Sequence, residues 1–162
     1  MAVDIFLKLD GVTGEAQDQT HKDEMDILAW SWGMSQSGTT HMGSGGGAGK
    51  VNVQDLSVTK YVDNASPTLM KFCCKGKHID TGKLTVRKAG DTPLEYITIE
   101  FQELLVAAIS TGGSGGEDRL TENLTLNFRK FQITYTLQEA NGVAGAQALV
   151  GWDVAQNAVW SA

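Results

Sequence analysis

The sequence predicts a mainly β protein: an antiparallel β-barrel of two sheets with one short flanking α-helix, in a single domain spanning residues 1–162. Three observations predict it. Seven or eight runs alternate with the period of two that strand side chains follow, only one stretch carries a helical pattern, and no β-α-β rhythm appears. The longest such run follows a glycine-rich loop at residues 112–116. Along it Leu120, Leu124, Leu126 and Phe128 hold one parity, then Phe131, Ile133, Tyr135 and Leu137 hold the other. A slip of one residue turns a strand's apolar set to its opposite face. The expectation is a bulge near Arg129 and Lys130 that bends one long strand into a curved sheet.

In chain order, residues 3–9 alternate with Val3, Ile5, Leu7 and Leu9 in phase and Phe6 out of phase. Residues 10–20 are a polar loop. Residues 26–34 read as a strand whose heavy face, Leu28, Trp30, Trp32 and Met34, should look inward, leaving Ser31 pointing away. Residues 38–49 hold six of the chain's 19 glycines, and loops of that composition are uncommon in compact domains unless functional. Residues 51–62 form a strand with a slip near Gln54 and Asp55. Residues 65–75 are the helix: Ser66 as cap, Pro67 in the first turn, Gly76 at the exit, and Leu69, Phe72 and Cys73 as the apolar stripe. A short strand at 83–88, a turn at 90–93, a long strand at 94–110 changing face near Glu103, a loop at 138–147 and a last strand at 149–159 complete the order.

Charge sorts into blocks within a net of −6. Residues 1–26 and 91–122 are acidic, whereas residues 70–90 carry Lys71, Lys75, Lys77, Lys83, Arg87 and Lys88 against Asp80. An acidic chain disfavours nucleic acid as a partner. The blocks are either solvated faces or complementary patches between copies. No apolar run reaches the ~20 residues of a membrane helix, so membrane insertion is not expected. The N-terminus lacks the basic-then-apolar layout of a secretory signal. The adjacent Cys73 and Cys74 cannot readily adopt disulfide geometry and read as reduced thiols, which fits a cytoplasmic origin.

Catalytic templates fail on residue type or context, and the chain is read as a non-enzyme with no cofactor and no metal. Residues 44–51 approach a phosphate-binding loop, but Ser44 and Val51 stand where glycine and a hydroxyl residue are needed, and a strand follows rather than a helix. Residues 43–48 resemble a dinucleotide fingerprint as weakly. His21 lies among acids without metal-ligand spacing, while His41 and His78 stand alone in loops. Gly112-x-Ser114-x-Gly116 matches a nucleophile elbow in letters, yet no histidine follows His78 to complete a triad.

Several long blocks carry a resemblance: MAVDIFLKLDGVTGEA, LAWSWGMSQSG, GGGAGKVNVQDLSVTKYVD, KLTVRKAG and STGGSGGEDRLTENLTLNF. In order and content they resemble the haemolysin-coregulated protein (Hcp) family, the tube protein of type VI secretion. The likeness runs to about residue 157 and is thinnest over 138–150 and 158–162. It implies six copies in a ring with a wide pore and rings stacked into a tube related to phage tail tubes. That tube lies in a contractile sheath, bears the VgrG spike protein and carries effector proteins in its pore. It also implies assembly in the bacterial cytoplasm followed by secretion without a signal peptide. On this reading Ser31 is the candidate pore-lining, effector-binding residue, though an ordinary exposed strand serine explains it equally. Gly43, Ser44, Gly45, Gly46 and Gly47 are candidates for ring stacking, because glycine permits close backbone approach. Gly112, Gly113, Glu117, Asp118, Arg87 and Lys88 are the subunit-contact candidates. The alternative is a small-ligand or protein-binding barrel acting as a monomer or dimer.

Overall fold

The computed structural model describes residues 2–39, 41, 47 and 49–162. The strands are β1 (Val3–Leu9), β2 (Met25–Ser31), β3 (Met34–Ser35), β4 (Asn52–Val53), β5 (Leu56–Tyr61), β6 (His78–Lys88), β7 (Leu94–Thr111), β8 (Thr121–Gln138), β9 (Ala144–Asp153) and β10 (Ala158–Val159), with the helix α1 (Ser66–Lys75) between β5 and β6. One antiparallel eight-stranded sheet runs β10-β9-β8-β5-β2-β1-β6-β7, and a β7–β8 pairing closes it into a barrel from which β9 and β10 extend. β3 and β4 form a second, small sheet.

The parity flip of β8 is real, but it is not a bulge. Gln102 pairs with Lys130 and Leu104 with Phe128 in unbroken register. β7 changes face at the same level, with Phe101 then Leu104 buried and Glu103 between them at φ 55°. Both strands therefore bend together. The one β7–β8 register shift lies at Val106/Ala108. On its other edge β8 changes neighbour across the bend, from β5, which pairs as far as Leu126, to β9, which begins at Lys130. Trp32 caps the bend from inside, its ring 4.8 Å from Phe131 and its indole N–H donating to the Gln54 carbonyl at 2.9 Å. Phe101 and Phe128 pack at 4.6 Å beside it. Aromatic pairs of this kind add about 0.5–1.5 kcal/mol each beyond area burial. The rest of the barrel is filled by Leu7, Leu9, Leu56, Leu84, Ile99 and Leu124, all essentially inaccessible, so the interior is a packed core.

Other expectations need correction. A register shift between Ile27 and Ala29 puts Met25 and Ile27 inside, then Trp30 and Trp32 against the core; Leu28 and Met34 are exposed. The slip at Gln54 and Asp55 is a full break between β4 and β5, and Val62 is exposed. Ala65, not Ser66, stands at the N-cap of α1, and no side chain caps the first turn; the Asp63 carboxylate accepts from the N–H of Ala65 itself at 3.0 Å. The helix exit is as expected: Gly76 is left-handed, and Gly76 and Lys77 donate to Cys73 and Phe72 carbonyls. His78 opens β6 rather than a loop, β9 starts at Ala144 within the expected loop, and the last strand is interrupted by a turn before β10. Both cysteines are free, with Cys73 packed against the core and Cys74 exposed.

Candidate functional site

Between the register shifts at Ile27/Ala29 of β2 and Val106/Ala108 of β7 and the strand ends, the outward residues of β2, β5, β8 and β7 line up in rows. One row is Ala29, Thr59, Asn123 and Ser110; the next is Ser31, Ser57, Thr125 and Ala108. The intervening inward row, Trp30, Val58, Leu124 and Ile109, packs on the core. The outward rows carry no charge: beside Ala29 and Ala108 they hold only small hydroxyl and amide side chains able to donate and accept hydrogen bonds. Thr59 Oγ1 donates to Asn123 Oδ1 at 2.8 Å, fixing neighbouring side chains across the strands. Ser31 sits exposed at the β2 edge of this face.

Beside it rises the hairpin of β3 and β4. Its pairing continues past the sheet, with Gly49 N–H donating to the Ser37 carbonyl at 3.3 Å and Thr39 N–H to the Gly47 carbonyl at 3.4 Å. Among the described residues, the arms 34–39 and 49–53, with Gly47, thus form one extended ribbon. Gly47 lies on it, whereas Gly43, Ser44, Gly45 and Gly46 fall outside the described residues.

The loop from Gly112 is held at its far end. Leu120 lies so close over Gly113 that a β-carbon there would collide with it, the Leu120 carbonyl accepts the Val62 N–H at 2.9 Å, and the Arg119 guanidinium stacks 3.8 Å above Tyr61. Glu117 and Asp118 are exposed. The other two contact candidates differ from each other. Lys88 is partly exposed and donates to Gln138 at 3.2 Å. Arg87 is buried; it donates to Asp18 at 3.0 Å and to Asp4 at 3.1 Å. The hydrogen bond from Arg87 holds the Asp18 carboxyl well below the usual carboxylate range, and Asp18 in turn raises Arg87. The acidic and basic blocks also meet inside the chain, since Lys83 stands opposite Glu100 and Arg87 opposite Glu95 across β6 and β7.

Two clusters escaped the sequence reading. Lys60 is fully buried, its ammonium 2.6 Å from buried Glu122, 2.8 Å from Asp63 and 2.9 Å from the Tyr61 carbonyl. Ser66 donates to the same Glu122 oxygen at 2.6 Å, so the cluster ties β5, β8 and the start of α1. The signal was present: Lys60 shares inward parity with Leu56 and Val58, and Glu122 shares it with Leu124 and Leu126. His21 is buried too, stacked on Phe6 at 4.5 Å with Glu24 and Glu95 at 2.8 and 2.7 Å from its ring nitrogens. Its sequence traces were Phe6, out of phase in β1, and the acids that follow His21, of which Glu24 is the one that reaches its ring.

The chain is similar to known proteins in sequence and fold. The family described as type VI secretion system effector, Hcp, matches residues 6–135. A curated relative, protein hcp1 of Pseudomonas aeruginosa, is 58% identical over 159 residues, covering 97% of this chain and 98% of its own. The crystal structure of Hcp1 from Salmonella typhimurium superposes with a TM-score of 0.83 at 41% identity, covering 99% of this chain and 100% of that one. A type VI secretion system effector from Yersinia pestis does so at 0.77 and 33% identity, covering 93% and 99%. No helix among the described residues is long and apolar enough to cross a membrane. On the family match and these relatives, the chain belongs to the Hcp family, the tube proteins of type VI secretion.

Proposed function

We propose that this chain is a structural subunit, not an enzyme: six copies close into a ring, rings stack into a tube, and sheath contraction drives the tube with its VgrG spike and effector cargo out of the cell. The observation that carries the reading is the uncharged face of small side chains around Ser31, on a barrel whose own interior is full. A full interior disfavours the ligand-binding barrel and leaves carriage to an outer surface. Turned toward the ring axis, that face lines the pore and offers hydroxyl and amide groups to a protein passing through. The glycine-rich ribbon reaches the next ring, and the loop carrying Gly112, Gly113, Glu117 and Asp118, with Lys88, contributes to contacts between copies.

Native mass measurement and negative-stain imaging test this directly. Rings of six are expected; a monomer at all concentrations overturns the reading. Ser31→Gln is expected to alter effector co-purification while rings persist, and unchanged co-purification would remove Ser31 from the pore. Shortening residues 43–47 is expected to leave the barrel folded and weaken stacking.

A further inference from the structure

The second half of β8 and its partner β9 leave the barrel and carry its apolar inner face with them. Phe131 and Trp152, paired across the two strands, still touch the core. Ile133 in the next row still rests on the core, but its partner Val150 is 53% exposed, and in the row beyond, Tyr135 with Ala148, Tyr135 is 46% exposed. Met34 stands across the same groove at 48%. The far edge of β9 is open as well. β10 pairs only with Asp153 and Trp152, and the tail's last backbone hydrogen bond to this edge runs from the Trp160 N–H to the Gly151 carbonyl at 3.1 Å, after which the Ala162 N–H turns to Gln132 Oε1 on β8 at 2.7 Å. A side chain at Gly151 would collide with the Trp160 carbonyl, so the tail's seat is built in and stops there. From Ala144 to Val150 the edge has no strand beside it among the described residues.

Natural sheets guard such edges with charge, proline or a bulge that turns the edge away. Residues 144–150, AGAQALV, contain neither charge nor proline, and the one β8–β9 register shift lies before them, at Thr136/Gln138. An unguarded edge beside an uncovered apolar face calls for cover, and the family identity supplies it, because a tube protein associates with itself. We infer that the β9 edge over residues 144–150 receives an extended segment of a second copy of this chain, whose apolar side chains continue the Ile133–Val150 and Tyr135–Ala148 rows. This rests on self-assembly as proposed above and places a ring contact on a segment outside the contact candidates named there. The joint is heterologous, as a closing ring requires.

The test uses the full chain in sedimentation velocity, with hydrogen exchange on the same samples. Val150→Lys is expected to weaken assembly by about tenfold or more, the loss of roughly one buried anchor, while its circular dichroism stays that of the wild type. Val150→Thr should assemble far better than Val150→Lys. Amides of residues 144–150 should exchange more slowly in assembled wild type than in the dilute chain, a reading that needs no variant to fold. If the wild type assembles and Val150→Lys assembles equally well, or if those amides gain no protection, the β9 joint is wrong and the ring reading survives. If the wild type never assembles, the ring reading falls first.

Discussion

The two halves of β8 share β7 on one side and have different surroundings on the other. Residues 121–126 lie between β5 and β7 inside the closed barrel, with Leu124 and Leu126 inaccessible and Glu122 locked to Lys60. Residues 130–138 lie mostly between β7 and β9, and there Tyr135 and Leu137 are nearly half exposed. One half spends its side chains on folding the subunit; the other holds apolar surface in reserve. Residue type alone does not separate the two halves, because Leu126 and Leu137 read alike in an alternating pattern. What separates them is which strand closes the second edge.

The comparison can be broken at its locked end first. Removing one member of a buried ion pair strands its partner without water, so Lys60→Ala or Glu122→Ala is expected to cost about 3–5 kcal/mol in urea unfolding. Lys60→Met with Glu122→Leu should recover most of that loss; a double variant as unstable as either single one would show that the cluster is not a unit. Next, Leu126→Ala should cost about 2–5 kcal/mol, whereas Leu137→Ala should stay within about 0.5 kcal/mol in the dissociated chain. Equal costs would erase the distinction between the halves.

Two smaller effects follow from charge near the barrel's other strands. Asp18 has a depressed carboxyl, held first by its hydrogen bond from Arg87. A depressed native value stabilises the fold fully above the unfolded carboxyl value of about 4 and loses that contribution as pH falls through the native one. Asp18→Asn should therefore lower the melting temperature at neutral pH, with the gap to wild type narrowing in acid; a gap constant with pH would contradict this. Asp26 is shifted the other way, chiefly by burial and then by Asp63. Its charge costs stability above the native value and nothing below about pH 4. Asp26→Asn should give a slight gain at pH 7 that disappears near pH 4.

Much of the barrel was legible because period-two alternation is local. Val3–Leu9, the helix and the long runs of β7 and β8 are written in neighbouring residues. The errors fall where a distant partner decides. Leu28 has the right letter for a core position, but the register shift against β5 turns it out. Ser66 has the chemistry of a cap, but Glu122 from β8 claims its hydroxyl. Arg87 reads as a surface cation until the loop holding Asp18 folds over it. Ser31 was readable as outward-facing from parity, yet the neutral face around it comes from β5, β7 and β8, which only the register brings alongside.

The shared bend at Glu103 and Arg129 sets a rule for length. Since β7 and β8 reverse face at one level without slipping, the residue counts on either side of that level are coupled between the two strands. Deleting Glu103 alone would put either the Phe101 side or the Leu104 side of β7 out of step with β8, exposing one aromatic layer to water. Deleting Glu103 and Arg129 together would keep the ladder in step. Changes in strand length here should be tolerated only in matched pairs.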